Sequence, residues 1–133
     1  MSYILYDFLE KRGDKLVNVI KEWTEGLQKK DRARLNSKLD MLEKHGTDLS
    51  HTLLSDTGQP DIKKLRITGK RFLTLRPMLC QGPISRKEEF TLLLGAIEKD
   101  RKTIPANAAA KAAAYRKQLI NNPSQRCPHE RVG

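Results

Sequence analysis

Arginines and lysines concentrated in one segment are the residues of this chain best suited to chemistry. Residues 61–87 hold eight Lys/Arg and a single acidic residue, Asp61, and therefore carry +7 of the formal net charge of +10. Residues 1–60, in contrast, balance to zero. Such clustering is typical of a surface that binds a polyanion, whereas solubility alone requires less of it. The charge distribution therefore predicts an anionic partner such as RNA.

The chemistry that suits such a segment is the cleavage of RNA by attack of its own 2′-hydroxyl. This reaction needs a base for the hydroxyl proton, an acid for the leaving oxygen and stabilisation of the charged phosphorane. The planar fork of arginine matches two phosphate oxygens. The candidates for this stabilising role are three arginines of the segment, Arg66, Arg71 and Arg76. In one extended strand Arg71 and Arg76 point to opposite faces, so both reach one cleft only if a β-bulge intervenes.

A lysine surrounded by other cations is the candidate base. The options are Lys63, Lys64 and Lys70, and Lys64 joins the three arginines in the predicted catalytic set. The alternative is that these side chains only position phosphates and do no chemistry. The predicted nucleic-acid contacts are nine basic residues: Lys63, Lys64, Lys70, Arg71, Arg86, Lys87, Lys99, Arg101 and Lys102.

Two helical patterns precede the basic segment. Apolar side chains recur at helical spacing from residue 14 to residue 27, and again from residue 31 to residue 45. Asp14 and Asp31 are the predicted N-caps, and Gly46 suits the left-handed position that ends a helix. The two helices are expected to form an antiparallel hairpin.

The pattern after residue 60 has the period of β-strands. Residues 62–67 and 71–78 are short runs separated by Thr68-Gly69-Lys70, which predicts a hairpin. Residues 90–97 form a nearly continuous apolar run, as a central strand covered on both faces requires. Residues 107–119 are rich in alanine and predict a last helix.

The predicted fold class is α+β, with a small, mostly antiparallel sheet packed against an N-terminal helical hairpin and a C-terminal helix. The helices are expected on one face, which leaves the other face for the basic side chains. Residues 1–8 fit either an opening strand or the first turn of a helix. Residues 1–123 are interpreted as a single domain, and residues 124–133 as a polar, mobile tail.

Three stretches of this sequence resemble the RelE/ParE toxin superfamily, and within it the HigB-like, phage-derived branch. They are Ile62-Lys63-Lys64-Leu65-Arg66, Phe72-Leu73-Thr74-Leu75-Arg76 and the LLGAIEKDRKTIP run of residues 93–105, which is followed by an alanine-rich helix containing Arg116. The resemblance implies a RelE-like fold. It also implies an endoribonuclease of a type II toxin–antitoxin system that cleaves messenger RNA on the ribosome and is neutralised by a cognate antitoxin.

Two alternatives to a ribonuclease stay open from the sequence, so its status as an enzyme is undecided there. One is a non-catalytic module on the same fold that binds nucleic acid or a partner protein. The other is an inhibitor of a DNA enzyme, as the ParE-like members of the superfamily imply.

Several other classes of protein are disfavoured by composition. No apolar run approaches the roughly 18 residues of a membrane span. Cys80 and Cys127 are too few for a disulfide framework, and their spacing, with His129 beside one of them, fits no zinc template. No glycine-rich phosphate loop is present. The sequence therefore predicts a cytoplasmic protein without membrane contact, cofactor or metal.

Overall fold

The structure is a computed structural model that describes residues 2–68, 73–84 and 88–133. Over these residues the chain has an α+β fold with a mostly antiparallel arrangement of strands. The elements, in chain order, are β1 (Ile4–Arg12), β2 (Lys15–Asn18), α1 (Val19–Glu25), α2 (Lys29–His45), a 3-10 turn (Gly46–Asp48), β3 (Leu54–Asp56), β4 (Lys63–Leu65), β5 (Ile67–Thr68), β6 (Leu73–Leu75), β7 (Met78–Gln81), β8 (Glu89–Leu94), β9 (Ile97–Lys99), β10 (Lys102–Ile104), α3 (Ala108–Asn121) and β11 (Arg126–Pro128).

The strands form two sheets. The larger has the order β11-β1-β8-β7-β4-β3, with β2 paired to the far end of β1. The smaller has the order β10-β9-β6-β5. β1 and β8 run parallel, and the other pairs are antiparallel. The predicted α+β class with a mostly antiparallel sheet is therefore confirmed.

One long hairpin connects the two sheets. Its arms pair Lys64 with Met78 in the larger sheet and Ile67 with Leu75 in the smaller. Between these pairs, the Leu65 N–H donates to the Pro77 carbonyl at 3.1 Å, so the register is unbroken. This confirms the pairing of the predicted hairpin, whereas its turn, residues 69–72, lies outside the described residues.

The helices cover both faces of the larger sheet, so the prediction that they share one face is wrong. Every residue of β8 is buried. Phe90 and Leu92 belong to the core cluster that contains the α2 leucines, whereas Leu93 belongs to the cluster that contains the α3 alanines. Successive strand residues point to opposite faces, so α2 and α3 lie on opposite sides. The alanine-rich face of α3, with Ala112 fully buried, permits this close docking.

The N-terminal elements differ from the helical prediction. Residues 4–12 are a strand, which settles the choice left open for the first eight residues. Asp14 lies in the turn between β1 and β2, and the first helix begins only at Val19, where the Asn18 side chain accepts from the Lys21 N–H at 2.9 Å. The helical spacing of Leu16 was misleading, since Leu16 is exposed on β2. The second helix begins at Lys29 rather than after an Asp31 cap, and it ends at Gly46 as predicted, with a φ of 51°.

The polar segment predicted to be a mobile tail instead forms β11, antiparallel to β1. His129 Nδ1 lies 2.8 Å from Asp7 Oδ1, and each of these side chains is only 2% exposed. Arg131 reaches Asp40 at 2.9 Å and Glu43 at 2.7 Å on α2. A buried carboxylate such as Asp7 requires hydrogen-bond partners, and the C-terminal residues supply one.

In the part of the chain that the structure describes, no helix is long and apolar enough to cross a membrane.

Candidate nucleic-acid interface

Arg66 and Arg76 face each other across the long hairpin. They occupy matching positions between the Leu65–Pro77 hydrogen bond and the Ile67–Leu75 pair. The Arg66 N–H donates outward to the Leu53 carbonyl at 2.7 Å, and the Arg76 N–H donates outward to the Ala96 carbonyl at 2.8 Å. This is the pattern of a non-hydrogen-bonded antiparallel pair, in which facing Cα atoms lie about 4.5 Å apart and side chains share a face. Two of the predicted catalytic arginines are therefore neighbours.

Glu98 on β9 forms an ion pair with Arg76. The arginine side chain is 15% exposed and the glutamate 28%, so the pair is half-buried. Arg66, in contrast, is exposed, and none of the described residues forms an ion pair with it. The face that carries the arginines thus has one neutralised and one unneutralised guanidinium.

A row of polar residues crosses the smaller sheet on this face. Thr68 faces Thr74, Thr74 faces Glu98, and Glu98 faces Thr103. Directly opposed residues of antiparallel strands share a face, so these four side chains lie in line. The row begins next to Arg66 and ends on β10.

A groove of about 510 Å³ lies between the outer side of α2 and the strand β5. Among the described residues, its lining includes three basic ones, Arg34, Lys38 and Arg66, and no acidic one. Arg34 and Lys38 are four positions apart on α2 and therefore lie on the same face of the helix. Arg34 is 2.9 Å from Asp31, whose carboxylate neutralises it in part. Three hydroxyl side chains, Ser37, Thr52 and Thr68, complete the polar lining.

Three predicted nucleic-acid contacts cluster at the turn between β9 and β10. Lys99 faces Lys102 across a two-residue turn formed by Asp100 and Arg101. All four side chains are exposed. A cavity of about 330 Å³ beside this turn is lined by Thr74, Glu98, Asp100 and Arg101.

The two lysines of β4 point to opposite faces of the larger sheet, and the assignment of Lys64 to the catalytic set stays a prediction. Lys64 faces Met78, which packs in the core cluster under α3, on the other side of the larger sheet from α2. Lys63 points to the opposite face and pairs with Asp56. Adjacent residues of a strand alternate between faces, so Lys63 and Lys64 are separated, whereas Lys64 and Arg66, two positions apart in an unbroken register, share a face. Four further predicted contacts lie outside the described residues: Lys70, Arg71, Arg86 and Lys87.

Three residues of the site were missed by reasoning from sequence. Arg34 and Lys38 lie in a helix whose charges are mixed, so only the fold shows that these two face β5. Glu98, which directly follows the predicted strand of residues 90–97, was likewise not among the predicted site residues. The signal available in the sequence was the four-residue spacing of Arg34 and Lys38, which places both on one face of a helix.

The thiols do not offer a nucleophile. Burial raises the pKa of Cys80 to about 12. Burial, together with the nearby Asp7 carboxylate, also raises the pKa of Cys127. A raised pKa disfavours the thiolate, which is the nucleophilic form, in both residues. Within the described ranges, no group of three or more His, Cys, Asp or Glu residues is arranged to hold a metal ion.

Comparisons of the chain with protein-family models, with curated proteins and with solved structures find no match.

Proposed function

We propose that this protein binds single-stranded RNA through the groove between α2 and β5 and the adjoining polar face of the smaller sheet. The observation that carries the proposal is Arg66, an exposed arginine that lines the groove and also faces Arg76 across the hairpin. Arg66 thereby connects the groove cations, Arg34 and Lys38, with Arg76 on the face of the smaller sheet, so that they form one surface. Arg, Lys, Ser and Thr side chains are the residues that contact phosphates, and the groove combines them.

Two features favour RNA over an acidic protein. In the described part of the chain, the cations of the groove are accompanied by three hydroxyls and by one neutralising carboxylate, Asp31. In addition, the two stretches that contain Arg66 and Arg76 resemble the ribonuclease toxins of the RelE/ParE superfamily, whose substrate is messenger RNA.

The test is a fluorescence-anisotropy titration of an unstructured RNA at increasing salt. Each neutralised phosphate of a single strand contributes roughly 0.7 to the slope of log affinity against log salt. We expect Arg66→Ala to lower the affinity at low salt and to reduce the slope by about that amount. Lys15→Ala, on the exposed strand β2, removes an equal charge elsewhere and should leave both quantities nearly unchanged. An RNA affinity that is absent at low salt, or indifferent to salt, would reject the proposal.

A second candidate function is favoured by the contact between Arg76 and Glu98. Two facing guanidinium groups suit the equatorial oxygens of a phosphorane, and a carboxylate beside them suits the transfer of a proton. These are the requirements of an endoribonuclease, as the resemblance to type II toxins implies. Expression of such a toxin should slow growth, and the purified protein should cut message in a translation extract containing ribosomes. If neither occurs, binding without cleavage is the function that stands.

A further inference from the structure

The cavity beside the β9–β10 turn has a different character from the groove. It is smaller, about 330 Å³, and its charged lining is mixed: Glu98, Asp100 and Arg101. Two carboxylates in such a space disfavour a phosphate. Hydrogen-bond acceptors next to a fork of donors suit instead the edge of a nucleobase, which presents both kinds of group.

Two of these residues occupy the tight turn between β9 and β10. Asp100 and Arg101 have φ values of 53° and 65°, as the central residues of a type I′ hairpin turn require. That turn is most easily formed by Asn-Gly, and a non-glycine residue at positive φ is uncommon. The turn therefore places a carboxylate and a guanidinium side by side at the end of the polar row, and no described residue forms an ion pair with either.

We infer that this cavity, lined by Thr74, Glu98, Asp100 and Arg101, binds a guanine base of the RNA. Guanine presents two donors, N1–H and the N2 amino group, side by side, and one carboxylate accepts from both. It also presents two acceptors, O6 and N7, which the arginine fork contacts bidentately. Asp100 and Arg101 supply this pair of complementary groups.

The chemistry discriminates against the other purine. Adenine presents a lone pair at N1, which a carboxylate repels, and a donor at N6, which an arginine repels. Each well-formed bidentate contact typically contributes a discrimination of several-fold to about a hundredfold. We therefore expect a preference for guanine over adenine of about tenfold from this cavity.

The inference rests on the proposed RNA-binding function, and one set of titrations separates the two. The probes are a uridine-rich oligonucleotide with a single central guanosine, the same oligonucleotide with adenosine in its place, and guanosine monophosphate as a competitor. We expect about tenfold tighter binding of the guanosine oligonucleotide. Asp100→Asn should abolish this preference while retaining affinity for the adenosine oligonucleotide, because the groove cations remain. Asp14→Asn, in the exposed β1–β2 turn, is the matched control and should keep the preference.

Each other outcome has a definite meaning. If neither oligonucleotide binds, the proposed RNA-binding function itself fails. If both bind equally, or if Asp100→Asn keeps the preference in a protein with an unchanged circular dichroism spectrum, the guanine site is rejected while RNA binding stands. If guanosine monophosphate competes as strongly as the guanosine oligonucleotide, the inferred RNA ligand is overturned in favour of a free nucleotide.

Discussion

Arg66 and Arg76 face each other across the hairpin, but only Arg76 is paired, with Glu98, among the ion pairs of the described residues. Like charges directly opposite each other on antiparallel strands destabilise a sheet. The carboxylate of Glu98 therefore offsets a repulsion that the two arginines would otherwise exert. This arrangement gives the two arginines different roles, and it predicts different effects when each is changed.

Glu98→Gln should destabilise the protein. The substitution leaves Arg76, which is only 15% exposed, without its charged partner and facing another arginine. We expect a loss of about 1 kcal/mol in the free energy of unfolding, as for a half-buried bond to a charged group. Urea unfolding followed by circular dichroism measures it. Arg66→Gln in the same chain should restore part of the loss, and a double mutant no more stable than Glu98→Gln would show that the facing charges do not interact.

If the protein cleaves RNA, Arg76→Ala should lower the cleavage rate more than the affinity for RNA, whereas Arg66→Ala should lower the affinity. Arg76 is half-buried and held by Glu98, as a preorganised group that stabilises a transition state must be. Its removal should lower the cleavage rate by roughly a hundredfold, as loss of an oxyanion donor does. Single-turnover cleavage and anisotropy on the same RNA compare the two effects. A fall in binding as large as the fall in rate would assign Arg76 to positioning, since uniform loss of binding is not loss of transition-state stabilisation.

His129→Ala should destabilise the protein far more than Arg131→Ala, although both residues belong to the C-terminal segment. His129 and Asp7 are each 2% exposed, so removal of the imidazole takes a partner from a buried carboxylate. The expected loss is about 2–4 kcal/mol in the free energy of unfolding. Arg131 bonds to Asp40 and Glu43 near the surface, and its loss should be below about 1 kcal/mol. Equal losses in chemical denaturation would contradict this assignment.

Tyr115→Phe should make stability less dependent on pH in the acid range. The Tyr115 hydroxyl donates to Glu10 and, with Arg12 in a smaller role, lowers the pKa of that carboxyl below its ordinary value of 4.5. A lowered folded-state pKa contributes stability that is complete above the unfolded value and is lost as the pH falls through the folded value. The phenylalanine retains the stacking on Phe8 but lacks the hydroxyl. Thermal unfolding should therefore show a difference from wild type at neutral pH that shrinks below pH 4.5, and a constant difference would refute the linkage.

The strand pattern after residue 60 was predictable because local chemistry dominates there. Glycine and the alternation of apolar side chains indicate the hairpin, and the unbroken apolar run of β8 indicates a strand buried on both faces. A strand that is buried on both faces requires a layer of structure on each side of the sheet. The same apolar run therefore argues against placing all helices on one face.

The N-terminal helix start and the C-terminal strand were not predictable from local pattern. Leu16 has helical spacing with Ile20, yet its segment pairs with β1. This pairing depends on tertiary contacts, which the periodicity of the local sequence does not encode. The segment after residue 123 is polar, but its polar groups contact buried residues that are far away in sequence, such as Asp7. The candidate site was partly predictable for the same reason. Arg66 and Arg76 follow from strand register, whereas Arg34 and Lys38 enter only through the packing of α2.

The pairing of β1 with β11 has a consequence for how the chain is made. His129 and Asp7, which meet beside this pairing, are 122 positions apart, so β1 emerges from the ribosome long before its partner β11. Until then the outer edge of β1 presents unpaired backbone groups to other nascent chains. Contacts of such long sequence separation also slow folding. The larger sheet is therefore expected to close only after β11 has been synthesised, and until then to depend on whatever shields the open edge of β1.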